Sequence, residues 1–216
     1  MSNSVIAPAI LAENAEQYKE QVNKITGLVE RVHIDISDGE FAPTLTVGIP
    51  ELWAPEGWMI DIHAMVNDVS DYVPKLIALR PHMIIIHAEA TGDVKTALMQ
   101  IRQAGIMAGL ALLKPTVPRT VEELIKIADH VMIFSGELGR FGGTASLMQL
   151  EKIRLVKAIN TSVEIGWDGG VAVDNAYSLV QGGVNVLNVG GVIQKSSDPR
   201  AIFSRLQQEI NKTSVL

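Results

Sequence analysis

The sequence predicts a (β/α)8 barrel of the TIM type, and three observations carry that reading. Short, nearly all-apolar strand runs alternate with amphipathic helical stretches from end to end. Eight such units can be counted without a linker or a shift in composition, so residues 1–216 read as one domain at the small end of the barrel's size range. Where a doubly wound dinucleotide-binding sheet carries a glycine-rich turn after its first strand, this chain has Pro8-Ala9-Ile10-Leu11-Ala12.

The units follow in order. Val5–Leu11 reads as the first strand, and Asn14 caps a helix running to about Ile25. In the second strand, Arg31–Ile36, the residues Val32, Ile34 and Ile36 alternate with His33 and Asp35, so an imidazole and a carboxylate share one face. Pattern alone fits an edge strand with a solvated polar face equally well. Asp38-Gly39 ends the strand with turn chemistry, and a long loop extends to Pro50. Met59–His63 is the third strand, followed by a helix from about Ser70 to Arg80. Met83–His87 is the fourth, and its helix spans Asp93–Ala104 with Gly105 at the C-cap. Ile106–Leu113 is the fifth, closed by Lys114-Pro115; Thr120 and Glu123 then have capping-box spacing for a helix near Val121–Ala128. Val131–Phe134 and the glycine-rich stretch from Gly136 to Gly143 precede a helix of about Ser146–Ile159. Val163–Trp167 ends in Asp168-Gly169-Gly170, a helix from Asp174 to Gln181 leads to Val184–Val189, and Gly190-Gly191 follow. Asp198-Pro199 start the last helix, which runs through Glu209.

Composition narrows the function. At 47% hydrophobic and 19% charged residues, the chain can bury a sizeable core. No apolar run approaches the roughly 18 residues that span a bilayer. Met1-Ser2-Asn3-Ser4 lacks the charged start of a signal peptide, which points to the cytoplasm. With no cysteine, disulfides, thiolate zinc sites and cysteine nucleophiles are excluded. A net charge of −6 without a Lys/Arg cluster argues against a nucleic-acid or membrane surface. A small anion remains open, because backbone amides hold phosphate without bulk positive charge.

The C-terminal strand ends of such a barrel build its site. His33, Asp35, His63, His87 and Asp168 fall there. A lone strand-end histidine is more often a satisfied core residue. Here the convergence of two imidazoles and two carboxylates, His33, His63, Asp35 and Asp168, favours a site for Zn²⁺, Fe²⁺ or Mn²⁺. These four complete a ligand set, so His87 is assigned to structure. The pairs Gly142-Gly143, Gly169-Gly170 and Gly190-Gly191 follow strands six, seven and eight. One pair would be an ordinary tight turn, but three on one rim favour a phosphate cradle.

Seven segments together resemble the ribulose-phosphate 3-epimerase family over nearly the full length. They are Ala7-Pro8-Ala9-Ile10-Leu11, the run from His33 to Pro43, Asp61-Ile62-His63-Ala64-Met65-Val66, His87-Ala88-Glu89-Ala90, Phe141-Gly142-Gly143, Asp168-Gly169-Gly170-Val171 and Ser197-Asp198-Pro199-Arg200. The resemblance implies one divalent metal per chain (Zn, Fe, Mn or Co) held by His33, Asp35, His63 and Asp168. It also makes Asp35 and Asp168 an acid/base pair, with D-ribulose 5-phosphate and D-xylulose 5-phosphate interconverted, in a cytoplasmic homo-oligomer (dimer or hexamer). The chemistry agrees: inverting a carbon beside a ketone takes a proton from one face and returns one to the other, and cationic charge stabilises the enediolate between. Met65 and Phe134 would supply apolar walls. Arg140, in the loop over the site, would contact phosphate or remain a solvated loop arginine.

The chain departs from the family at the pocket. Ala9 stands where a substrate-contacting serine is usual, Ser37 and Phe134 where methionines are, and Trp167 where a small aliphatic residue is. The 137–143 loop has one extra residue and no proline, and Gly190-Gly191 replaces Gly-Ser. These changes open two alternatives: epimerisation of a hexulose or tetrulose phosphate, or a non-catalytic phosphate binder. Retained buried ligands carry a desolvation cost that weighs against the second. A related class of sugar-phosphate decarboxylases uses Asp-x-Lys, which Asp61-Ile62-His63 does not provide. Trp53, Trp58 and Tyr72 are candidates for an interface or for cover over the barrel's lower layer.

Overall fold

Eight parallel strands close into a barrel in chain order in the computed structural model, which describes residues 4–212. Met1–Asn3, on which the signal-peptide reading partly rests, lie outside the described residues, as do residues 213–216. The strands are β1 (Val5–Ile10), β2 (Arg31–Ser37), β3 (Met59–Met65), β4 (Met83–His87), β5 (Met107–Leu112), β6 (His130–Phe134), β7 (Glu164–Asp168) and β8 (Val186–Val189). The helices are α1 (Ala15–Ile25), α2 (Val69–Ala78), α3 (Val94–Gln103), α4 (Glu122–Ile127), α5 (Glu151–Ile159), α6 (Ala176–Gln181), α7 (Gly191–Gln194) and α8 (Pro199–Ile210). No helix among the described residues is long and apolar enough to cross a membrane.

Alternation along the strands sorts side chains between two layers. Val32, Ile34 and Ile36 of β2 pack outward into the core shared with the helices, beside Val22 and Ile25 of α1. Inside the barrel, Met83, Ile85, Ala111, Met132 and Phe134 form a second cluster. β2 lies between β1 and β3 and pairs with β3 along its whole length, with Asp35 opposite His63. The edge-strand reading of β2 is therefore overturned, because closure leaves no edge on which a polar face could be solvated.

Local corrections have local causes. Asn14, Asp93 and Asp198 cap their helices through side-chain oxygens, as their chemistry favours. The Thr120–Glu123 capping box does not form. Pro118 starts a tight 3-10 turn over Pro118–Val121, Thr120 Oγ1 donates to the Val117 carbonyl, and Glu123 pairs with Lys126. Leu147–Leu150 is likewise 3-10 before α5 begins. The four-residue α7, absent from the sequence reading, follows Gly190 directly.

At the N-terminal ends of the strands, the barrel is closed by charge. Arg31 binds Asp61 (Nε–Oδ2 2.6 Å) and grips Glu164 with both terminal nitrogens (3.0 and 2.8 Å). His130 Nδ1 lies 2.7 Å from Glu164 and His82 Nδ1 lies 2.8 Å from Asp61. Burial raises the Glu164 carboxyl, but His130 and Arg31 outweigh it and hold that group well below its usual range. A carboxyl depressed in the fold contributes stability fully above its unfolded value of 4.5, and loses it as pH falls through the folded value. Wild-type protein should therefore lose stability as pH is lowered from 4.5 toward 2. Arg31→Met should cost about 3–5 kcal/mol in urea unfolding at pH 7, by taking the shared guanidinium from buried Asp61 and half-buried Glu164, and should flatten that acid slope.

Candidate functional site

β2, β3 and β7 deliver the polar groups to the C-terminal mouth. His33 and Asp35 sit two apart on β2, His63 on β3 opposite Asp35, and Asp168 at the end of β7, three strand positions around the barrel from β2. One ligand-type atom from each of the four lies within 4.8 Å of the others. Asp35 Oδ1 is 2.7 Å from His63 Nδ1 and 3.2 Å from His33 Nε2; Asp168 Oδ2 is 3.8 and 3.9 Å from the same nitrogens. Four donors at metal–ligand distance from one cation stand roughly 3.3–3.6 Å apart, close to the mean of this set. Both ring nitrogens of His33 are buried without an aligned hydrogen bond; burial opposes its charge, but Asp35 and Asp168 outweigh it and raise its pKa, so the site favours positive charge there, as a proton or a cation. The donor set fits a divalent cation.

A hydrogen-bond chain behind the site sharpens the fit. Glu89 accepts from the Leu113 amide and the Thr116 hydroxyl, and its Oε2 lies 3.3 Å from His87 Nδ1. Burial opposes the charge on Glu89, but His87 and Thr116 outweigh it and lower the carboxyl. Burial pushes His87 down to about 4, so it is neutral at pH 7. With its proton on Nδ1 facing Glu89, His87 offers Nε2 as acceptor to His63 Nε2, 2.8 Å away. His63 Nδ1 then faces Asp35 across 2.7 Å, and either a proton or a metal ion must lie between them. His87 thus stays outside the four-ligand set, yet it orients one of its members.

The two carboxylates are pushed apart in acidity. Burial raises Asp35, but His33 and His63 overcome it and hold the group well below the usual carboxylate range. Burial and then the Asp35 charge push Asp168 up to about 6. A cation between them would pull Asp168 back down.

Above this cluster lies a cavity of about 360 Å³. Asp35, Asp168 and Met65 line it, together with Phe134, Arg140 and all six predicted glycines: Gly142, Gly143, Gly169, Gly170, Gly190 and Gly191. His33 and His63 lie buried beneath. Glycine is required at two of these positions. A Cβ on Gly169 or Gly170 would enter the backbone of Gly136 or Ala145, and both have positive φ (+99° and +72°). Trp167, turned outward into the helix layer, donates from Nε1 to the Gly169 carbonyl (3.0 Å), and Asn175 donates to the Gly170 carbonyl (2.8 Å). The large residue beside Asp168 therefore shapes the glycine turn rather than filling the pocket. Over the mouth, Gly139 packs on Thr44 of the long loop after β2, and Leu138 packs on the inner apolar cluster. The Arg140 side chain is 68% exposed and 4.0 Å from Glu137, so it is free to turn toward an anion.

Sequence reasoning missed Asn188 and Lys195, both of which line the cavity. Asn188 was detectable as one polar residue inside an otherwise apolar strand. Lys195 gave no signal, since it follows the unforeseen α7. Of the aromatic candidates, Trp53 is 46% exposed, while Trp58 and Tyr72 are half-buried against the core.

Fold and site define the class: a (β/α)8-barrel protein whose mouth gathers two imidazoles and two carboxylates beneath a glycine-rich, anion-sized cavity. The model of the ribulose-phosphate 3 epimerase family matches residues 5–194, and the chain belongs to that family, an isomerase family of carbohydrate epimerases. The ribulose-phosphate 3-epimerases of Helicobacter pylori (strain 26695) and Aquifex aeolicus are 30% and 29% identical over 210 and 211 residues. Each alignment covers 94% of this chain, and 96% and 95% of the respective relative. Among solved structures, 3-hexulose-6-phosphate synthase from Salmonella typhimurium superposes with a TM-score of 0.73 at 15% identity. That match covers 95% of this chain and 97% of the other, and is a likeness of fold.

Gly169→Ala should lower the unfolding free energy by roughly 1–3 kcal/mol from backbone conformation alone, read by urea denaturation. Unchanged stability would mean that the turn relaxes without cost.

Proposed function

We propose that this chain is a metal-dependent epimerase that inverts C3 of a ketose phosphate, interconverting D-ribulose 5-phosphate and D-xylulose 5-phosphate. The observation that carries the reading is the convergence of His33, Asp35, His63 and Asp168 around one point beneath the cavity. A divalent ion (Zn, Fe, Mn or Co) held by these four would supply positive charge to the oxygens of the enediolate. Asp35 and Asp168 reach the substrate from separate sides of the mouth, one removing the proton and the other returning one to the opposite face. Their separated acidities suit an acid/base pair. Met65 and Phe134 exclude water beside the reacting carbon, and His87 with Glu89 fixes the His63 ring. The glycine rim, with Arg140 and Lys195 at its edge, receives the phosphate. A one-domain organisation, a homo-oligomeric state (dimer or hexamer), a role in pentose phosphate metabolism and a cytoplasmic location belong to the same proposal.

A second reading keeps the chemistry and changes the sugar to a hexulose or tetrulose phosphate. Ala9, Phe134 and the rebuilt 137–143 loop in the cavity wall favour it. A panel of ketose phosphates decides between the two by kcat/KM. A non-catalytic role would leave buried Asp35, half-buried Asp168 and two buried imidazoles at a desolvation cost without return.

Removing metal with a chelator should abolish epimerisation, and a divalent ion should restore it; turnover unaffected by metal loss would sink the mechanism. Asp168→Asn should lower kcat by about 10²–10⁴-fold with the fold intact by circular dichroism. Near-wild-type turnover would remove Asp168 from the acid/base pair.

A further inference from the structure

Asn188 is a polar group that neither the metal-type cluster nor the glycine rim uses. It sits on β8, level with Asp168 of β7 and Ala7 of β1, and two residues before Gly190. Only 2% of it is exposed, and it lines the cavity. Its Nδ2 donates to the Met132 sulfur at 3.2 Å, a weak acceptor, while its Oδ1 is buried with no hydrogen-bond partner. Among the described residues nothing donates to that oxygen. Ala9, Phe134 and Met65 give the same cavity apolar wall. A buried amide oxygen without a donor costs the fold stability, and a near-isosteric leucine would be free of that cost. The amide is therefore an acceptor poised for a donor that arrives with the ligand.

Its place says which donor. Asp168, beside it, belongs to the reacting end of the cavity, and Gly190-Gly191, just beyond it, to the anionic end. We infer that Asn188 accepts a hydrogen bond from the substrate hydroxyl lying between the reacting carbon and the phosphate-bearing carbon, and so selects ketose phosphates that carry it. The inference rests on the epimerase reading for the substrate's orientation. For a pentulose 5-phosphate epimerised at C3, the group is the 4-hydroxyl. A tetrulose 4-phosphate has no such hydroxyl and would be discriminated against.

The test compares D-ribulose 5-phosphate with its 4-deoxy analogue on wild-type protein and on Asn188→Leu, by kcat/KM and by calorimetric Kd. Wild type should prefer the hydroxylated compound by about tenfold or more, and the leucine variant should bring the two within about twofold. That loss should fall on the hydroxylated compound alone. The leucine variant should also melt at the wild-type temperature or above it, since it relieves an unpaired buried oxygen. An undiminished preference in Asn188→Leu overturns the inference, as does a lowered melting temperature with selectivity intact, which would mark Asn188 as structural. If neither compound is turned over but both bind, the epimerase reading fails. The ratio of the two Kd values, erased or kept by leucine, then decides Asn188 by itself. Failure of the hydroxylated compound to bind wild-type protein overturns both.

Discussion

Two carboxylates and a histidine lone pair brought within a few ångströms under a protein surface repel one another unless positive charge joins them. That constraint organises the mouth of this barrel. Glu89 fixes the proton on His87, His87 accepts from His63, and His63 is left facing Asp35 at 2.7 Å. His33, with no hydrogen bond on either ring nitrogen, stands on the other side of the same carboxylate at 3.2 Å. A proton can serve at one edge of this arrangement. A divalent ion serves at all of them, and the proposed reaction needs the same charge when a proton leaves the substrate carbon.

The scaffold's own buried counter-charge lies elsewhere, so the like charge at the mouth is left for a ligand to balance. At the opposite end of the barrel, Arg31 joins Asp61 and Glu164 and leaves no buried acid there unpaired. At the mouth, no lysine or arginine among the described residues takes that role; Arg140 and Lys195 stand at the rim, where an anionic substrate would meet them. The two ends of one sheet thus divide the work: paired charge holds the strands in register below, and uncompensated charge is kept for a ligand above. The cavity over the mouth is mostly apolar side chain and glycine backbone. That makes the few polar groups in its wall, Asn188 among them, the ones that can tell one sugar phosphate from another.

Much of this is legible in the sequence alone. The eight alternating units gave the barrel because a buried parallel strand must be apolar on both faces, a pattern that survives without knowledge of neighbours. The polar exceptions to it, His33, Asp35, His63 and Asp168, marked the site for the same reason. What stayed hidden depended on tertiary partners. Thr120 and Glu123 had the spacing of a cap, but Pro118 tightened the chain into a 3-10 turn first. His87 read as structural because its role lies in the ring of His63, a contact between strands that spacing does not encode. Trp167 read as an intrusion beside Asp168, yet alternation sends it outward to hold the Gly169 carbonyl. Lys195 reaches the cavity through a four-residue helix too short to leave a periodic signal.

The most direct measurement is elemental analysis of the purified, dialysed protein beside variants that remove single ligands, Asp35→Asn and His63→Ala. Wild type should hold one equivalent of a divalent transition metal, and each variant should hold substantially less while remaining folded. Metal-free wild-type protein that still epimerises, or variants that retain a full equivalent, would contradict the idea that these four side chains close on one ion.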